Sequence, residues 1–361
     1  MAAPKKRVPA KDHPVEASDL KRLFASADFI IRLSPWEFLF EEQVFGLRAK
    51  GGKGEVYWVN VIGGAGEVFA VNVYRGAKGM AGLSVLMGAL IAAEEDGDDY
   101  DPIGVGLEQC MFQLEFVSKR ELDSWDRKAL KKVGRSLPTK RNAMVPRFLS
   151  LQPGYLPWRL EAEEGREFAE VLKWVASGLS FLEEDPAFCP DFPSREIPVL
   201  EFGAEADCDI IWEALKPLIS GRGEQSEPLL ELDEFSREKY RALPQNEQVH
   251  WELASSLSPA PIKEKDKRPY VPYVVMVCER EYGAVLATEI CRREDRTKAI
   301  LVTLLESMDR AGCRPGRVFV DERGMRELAK AWFAEIEVEV EYGPCDACDD
   351  AFDGLFEALG D

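Results

Sequence analysis

Apolar and polar positions along the chain change period several times, and each change marks an element. Between Asp19 and Ile31 apolar residues return every three or four positions (Leu20, Leu23, Phe24, Ala27, Ile30). This spacing predicts a helix with one buried face, capped by Asp19 and stopped at Ser34-Pro35. Residues 55–62 and 67–74 alternate like half-buried strands, and Gly63-Gly64-Ala65-Gly66 between them suits a hairpin turn. The run Met80 to Ala93 reads as an apolar helix, Cys110 to Phe116 as a strand, and Lys119 to Val133 as a charged helix capped by Ser118. A longer helix is predicted over Glu161 to Leu182, with Phe168, Val171, Leu172, Val175 and Leu179 on one side. Ile197 to Phe202 reads as a strand, Asp209 to Leu218 as helical, Leu229 to Leu232 as a short strand, and Glu247 to Leu257 as the end of a joining region.

From Tyr273 onward the pattern is denser. Strands are predicted at 273–278, 284–290, 317–320 and 336–340, and helices at 297–311 and 325–334. An acidic helix ends near Leu359. Prolines and lysines between Ser258 and Arg268 read as a linker. The expected organisation is therefore a tail over 1–17, an α+β domain with an antiparallel sheet over 18–185, a connector over 186–257, a linker over 258–269, and an α/β domain with a mixed five-stranded sheet over 270–361.

Composition narrows the function. The chain carries 65 acidic against 46 basic residues, a net charge of −19, which disfavours nucleic acid because that affinity rests on Lys and Arg displacing counterions. The basic residues Lys128, Lys131, Lys132, Arg135, Lys140, Arg141 and Arg147 read as a solvated face. The acidic loop from Glu94 to Asp101 lacks the ligand order of an EF-hand and reads the same way. No window approaches the roughly 18 uninterrupted apolar residues of a membrane span, and the basic start lacks the apolar core of a secretion signal, so a cytoplasmic location is expected. Eight cysteines without a framework spacing fit reduced thiols in that compartment.

Several segments carry a family resemblance. Pro35-Trp36-Glu37, Val44-Phe45-Gly46, Tyr74-Arg75-Gly76 and Pro153-Gly154-Tyr155-Leu156-Pro157-Trp158 together resemble a bacterial domain of unknown function. Arg268-Pro269-Tyr270-Val271-Pro272 and Cys313-Arg314-Pro315-Gly316-Arg317-Val318 resemble a second such domain, found in tandem with the first. The resemblance covers most of residues 19–182 and 268–360 and implies architecture but no activity.

Three chemical readings remain. The order strand, strand, helix, strand, helix, strand, helix after residue 270 is similar to that of the ribonuclease H-like fold, whose nucleases hold two Mg²⁺ or Mn²⁺ ions on carboxylates. The acids at the corresponding places are Glu279, Asp321 and Asp346, Asp349 or Asp350, with no basic residues beside them, which fits an inactive relative. Cys345-Asp346-Ala347-Cys348 opens a helix as a redox dithiol does, but the surrounding acids oppose a thiolate. Lastly, aromatic and proline segments suit a protein or peptide partner, with Trp36, Tyr155 and Trp158 as expected contacts and no cofactor. This non-enzymatic binding role is the leading expectation, and a degenerate metal-dependent nuclease is the alternative.

Overall fold

A computed structural model describes residues 13–51, 54–96, 102–140, 143–203, 208–214, 232–321 and 323–360. Of the tail expected over 1–17, residues 1–12 lie outside the described residues, while His13 and Val15 are buried rather than free; residues 97–101 of the expected acidic loop and 221–231 of the expected loop and strand also lie outside them. The chain divides into two compact units: Met1–Pro153 with Pro157–Arg222, and Gly154–Leu156 with Gly223–Asp361. The linker expected at 258–269 thus lies inside the second unit, and the expected connector is shared out, its first part to one sheet and its last part to the other.

The first unit is built on an eight-stranded sheet ordered β6-β5-β4-β3-β2-β1-β7-β8. Its strands are β1 (Phe45–Ala49), β2 (Tyr57–Ile62), β3 (Ala70–Arg75), β4 (Met111–Ser118), β5 (Met144–Leu151), β6 (Trp158–Arg159), β7 (Glu196–Phe202) and β8 (Cys208–Ala214). Neighbours run antiparallel except β1 and β7, which pair in parallel, so the sheet is mixed rather than wholly antiparallel. The physical cause is a crossover, because the chain passes through a 23-residue helix between β6 and β7 and re-enters beside β1.

Helices α1 (Ala17–Leu33) and α5 (Ala162–Glu184) cover one face. Leu20, Leu23, Phe24, Phe168, Leu172 and Leu179 are buried there with Val59, Val73 and Phe112. Each fully buried side chain of this kind contributes about 1.5–3 kcal/mol. Ser34 ends α1 in the left-handed conformation, and Asp19 lies in the first turn rather than at the cap. The cap of α4 (Ser124–Lys132) is Asp123, not Ser118, because Asp123 accepts the amides of Trp125 and Asp126 while Asp126 reaches back to the Asp123 amide. On the other face lies α2 (Gly76–Asp96), anchored by Met80, Leu83 and Met87 beside Trp58 and Tyr74, followed by α3 (Pro102–Leu107). Among the described residues α2 is the one helix with an 18-residue window apolar enough to cross a membrane.

The second unit has a five-stranded sheet ordered β11-β10-β9-β12-β13. Its strands are β9 (Gln245–Leu257), β10 (Tyr273–Glu279), β11 (Val285–Cys291), β12 (Arg314–Val320) and β13 (Glu339–Tyr342). The first three run antiparallel, while β12 is parallel to β9 and β13 to β12. Among the described residues its helices are α6 (Glu234–Arg241), α7 (Arg296–Ala311), α8 (Arg323–Ala334) and α9 (Asp346–Gly360). Alternation along β9 divides its side chains between two cores. Trp251 and Leu253 join Ile300, Leu304, Trp332 and Phe333 on the α7 and α8 side. Ala254 joins Cys278, Cys348 and Phe352 beneath α9.

Candidate functional site

The face under α9 gathers the unusual chemistry of the second unit. Glu252 sits at the middle of β9, the central strand, with only 1% of its side chain exposed. It is paired in the ladder with Cys278 of β10 and Phe319 of β12. Alternation therefore turns Glu252 towards α9, away from Trp251 and Leu253. Its Oε2 accepts the backbone N–H groups of Ala347 (2.8 Å) and Cys348 (3.1 Å) at the start of α9. A carboxylate from another strand thus fills the capping role at a helix N-terminus, where donors are unpaired and negative charge is favoured. The Arg280 guanidinium lies 3.3 Å from Oε1, stacks 4.0 Å from the Phe319 ring, and donates to the Pro344 carbonyl at 3.0 Å.

These contacts set the electrostatics. Burial pushes the Glu252 carboxyl above its usual range, while the two amides and Arg280 pull it back. Burial also raises Asp349, and Asp321, Asp346, Asp353 and Asp350 add to the rise. Cys345, buried beside Asp321, Glu252 and Asp349, is pushed up to about 12, principally by desolvation. Cys348 is raised as well, by its thiol hydrogen bond with Cys278 and by burial, and the same hydrogen bond lowers Cys278. Cys345 and Cys348 are both buried and both raised, which is opposite to the exposed low-pKa sulfur of a redox dithiol.

The acids expected to converge are divided by the sheet. Glu279 pairs with Trp251, one residue on from the Cys278–Glu252 pair, so it faces the opposite side from α9. Its carboxylate accepts the Tyr282 amide at 2.7 Å and closes the β10–β11 turn. Asp321 follows β12 and acts electrostatically on Asp349 and Cys345, which brings it to the α9 side. Asp346, Asp349 and Asp350 are exposed on the first turns of α9. Among the described residues no three His, Cys, Asp or Glu side chains meet in a geometry that would hold a metal ion. Glu252 does not stand out in the sequence, because the stretch that forms β9 reads there as the end of a joining region. The signal present was a single acid inside His250-Trp251-Glu252-Leu253-Ala254, flanked by residues that alternate into a core.

The expected contact residues each have partners of their own. Trp36 is half-buried, with Phe69 at 4.7 Å and Phe116 at 5.7 Å between ring centroids. Gly63, at φ +152°, passes so close that an added Cβ would meet the Trp36 Cβ at 2.7 Å. Trp158 lies under the Arg159 guanidinium at 4.4 Å. Tyr155 belongs to the second unit, where its hydroxyl donates to Glu294 (3.0 Å) and its backbone bridges to Tyr270.

Fold and site together define a protein of mixed helix and sheet in two units, each built on one mixed sheet, with a buried carboxylate in the second serving as a helix cap. Residues 21–199 match the domain of unknown function DUF7309 and residues 236–356 match the domain of unknown function DUF6930, so the chain carries these two domains in tandem. No curated protein matches it.

Proposed function

We propose that this chain is a non-enzymatic protein- or peptide-binding protein, and that its second unit is a ribonuclease H-like domain whose acid face has become structural. The strand order β11-β10-β9-β12-β13, three antiparallel strands followed by two parallel ones, supports the fold half of this reading. In that order β9 is the first strand, so Glu252, not Glu279, is the acid to compare with the metal-binding carboxylates of such nucleases. The engagement of Glu252 carries the functional half. One of its oxygens accepts two amides and the other faces a guanidinium 3.3 Å away, so most of the carboxylate's accepting capacity is already engaged within the protein. A two-metal centre needs carboxylates gathered around ions about 3.5–4 Å apart. Glu252, Asp321 and the α9 acids do not fit Mg²⁺ or Mn²⁺ in that way, and no catalytic step is derived through either ion.

The reading is tested on the intact chain. Neither Mg²⁺ nor Mn²⁺ is expected to raise Tm, since only an ion bound to the folded state stabilises by mass action. No cleavage of DNA, RNA or their hybrid is expected. A Mn²⁺-dependent rise in Tm that disappears in Asp321→Asn, accompanied by cleavage, would give the site back to metal chemistry. The binding half expects that capture of the tagged chain from extract returns a protein which, tagged in turn, recovers this chain. Failure of reciprocal capture removes that half.

A further inference from the structure

Among the described residues strand β8 ends the eight-stranded sheet, and one of its faces is aromatic. Ile210 and Trp212 alternate onto the side covered by α5 and remain 39% and 47% exposed. The Trp212 ring lies 5.3 Å from Phe188, and Phe188 lies 5.5 Å from Phe181, which is itself 36% exposed near the end of α5. A contiguous strip of large side chains thus runs along an edge strand, which presents backbone donors and acceptors in the pattern that another strand pairs with.

The charges around this strip choose the occupant. Helix α5 ends in Glu183, Glu184 and Asp185, all exposed, with no basic residue in its last turn. That end carries the negative pole of the helix and attracts cations. On β8 itself Asp209 pairs with Lys50 (2.9 Å) and Glu213 with Arg48 (2.5 Å). A second copy laid antiparallel on β8 about Ile211 would bring Asp209 opposite Glu213, and like charges directly opposite destabilise a strand pair.

We propose that β8 and the C-terminal turns of α5 form a docking surface for an extended segment of a partner protein, apolar at alternate positions and bearing Lys or Arg where it meets Glu184 and Asp185. Main-chain pairing along β8 supplies affinity, and the aromatic strip and acidic helix end supply selectivity. This rests on the binding role proposed above and gives it a place and a partner chemistry.

The probe is a fluorescein-labelled peptide in which Val alternates with Lys and Thr, with a twin carrying Glu for Lys, followed by anisotropy on the intact chain. The basic peptide is expected to bind and its acidic twin to bind at least about tenfold more weakly. Trp212→Ala and Ile210→Lys are each expected to weaken the basic peptide by at least about tenfold. Glu184→Lys with Asp185→Lys, both exposed and harmless to the fold, is expected to erase the difference between the twins. Equal binding of both peptides, or binding unmoved by Trp212→Ala and by the charge reversal, overturns the proposal. A dimer in sedimentation that Ile210→Lys dissolves assigns the surface to a second copy and overturns it too. If the basic peptide fails while reciprocal capture succeeds equally with Trp212→Ala, this surface is rejected and the binding role stands; if both fail, the role falls with it.

Discussion

Glu252 and Arg280 show how one residue position decides the reading of a whole unit. A carboxylate buried in a central strand is tolerated only when hydrogen-bonded and paired, and here two amides and a guanidinium satisfy it. Removing one partner of such a buried pair costs about 3–5 kcal/mol. Because Arg280 keeps 29% of its side chain exposed, Arg280→Ala is expected to cost less, about 2 kcal/mol, in urea unfolding of the second unit. The double variant Glu252→Gln with Arg280→Met should recover part of that loss, because the amide oxygen still accepts from α9 and no unpaired charge is left. An unchanged urea midpoint in Arg280→Ala would remove the pair from the account of stability. In the sequence, the acids of α9 and Asp321 were legible as candidates from their places at element ends. Glu252 was not, since its role depends on which strand lies at the centre of the sheet, and that is fixed by pairing partners far away in the chain.

Elements with strong local signals formed where the pattern predicts them. Strands β10, β11 and β12 and helix α7 fall within a few residues of their expected bounds, because an apolar run or alternation next to a turn fixes each one locally. Strand β8 did not follow its pattern, for Asp209 to Leu218 reads as helical while Cys208–Ala214 pairs antiparallel along the whole length of β7. Ile210, Ile211 and Trp212 suit a pleated surface once a neighbouring strand is present. The β9–β12 pairing has a signature of its own in Arg314-Pro315-Gly316-Arg317, where the register shifts. A Cβ on Gly316 would meet the Glu247 carbonyl oxygen at 2.6 Å and its Cα at 2.7 Å, both backbone atoms that cannot swing aside. Gly316→Ala is therefore expected to force β9 and β12 apart and to cost about 1–3 kcal/mol. Loss of amide protection along β9 in hydrogen exchange is the accompanying sign. Protection as in the parent chain would mean that the strands approach less closely than described.

At the scale of the molecule the decisive fact is that each unit encloses its own cores. Phe168 is buried between Phe112 and Phe148 in the first unit, while Trp251, Leu304 and Phe333 are buried together in the second. Sequence composition gave the number of units, since 361 residues exceed what a single core organises. It did not place the boundary. The Pro- and Lys-rich stretch 258–269 looks like a linker, yet it joins the antiparallel neighbours β9 and β10, and the division comes near Arg222. Separate cores predict separate unfolding. Calorimetry on the intact chain is expected to resolve two transitions, with Gly316→Ala and Arg280→Ala lowering only one of them. Phe168→Ala, which empties a stacked aromatic site in the first unit, is expected to cost about 3–5 kcal/mol and to lower only the other. Variants in the two units should then add, because substitutions that share no partners do so within a few tenths of a kcal/mol. A single transition moved by all three substitutions would mean that the two sheets fold as one cooperative body, and the boundary at Arg222 would lose its thermodynamic meaning.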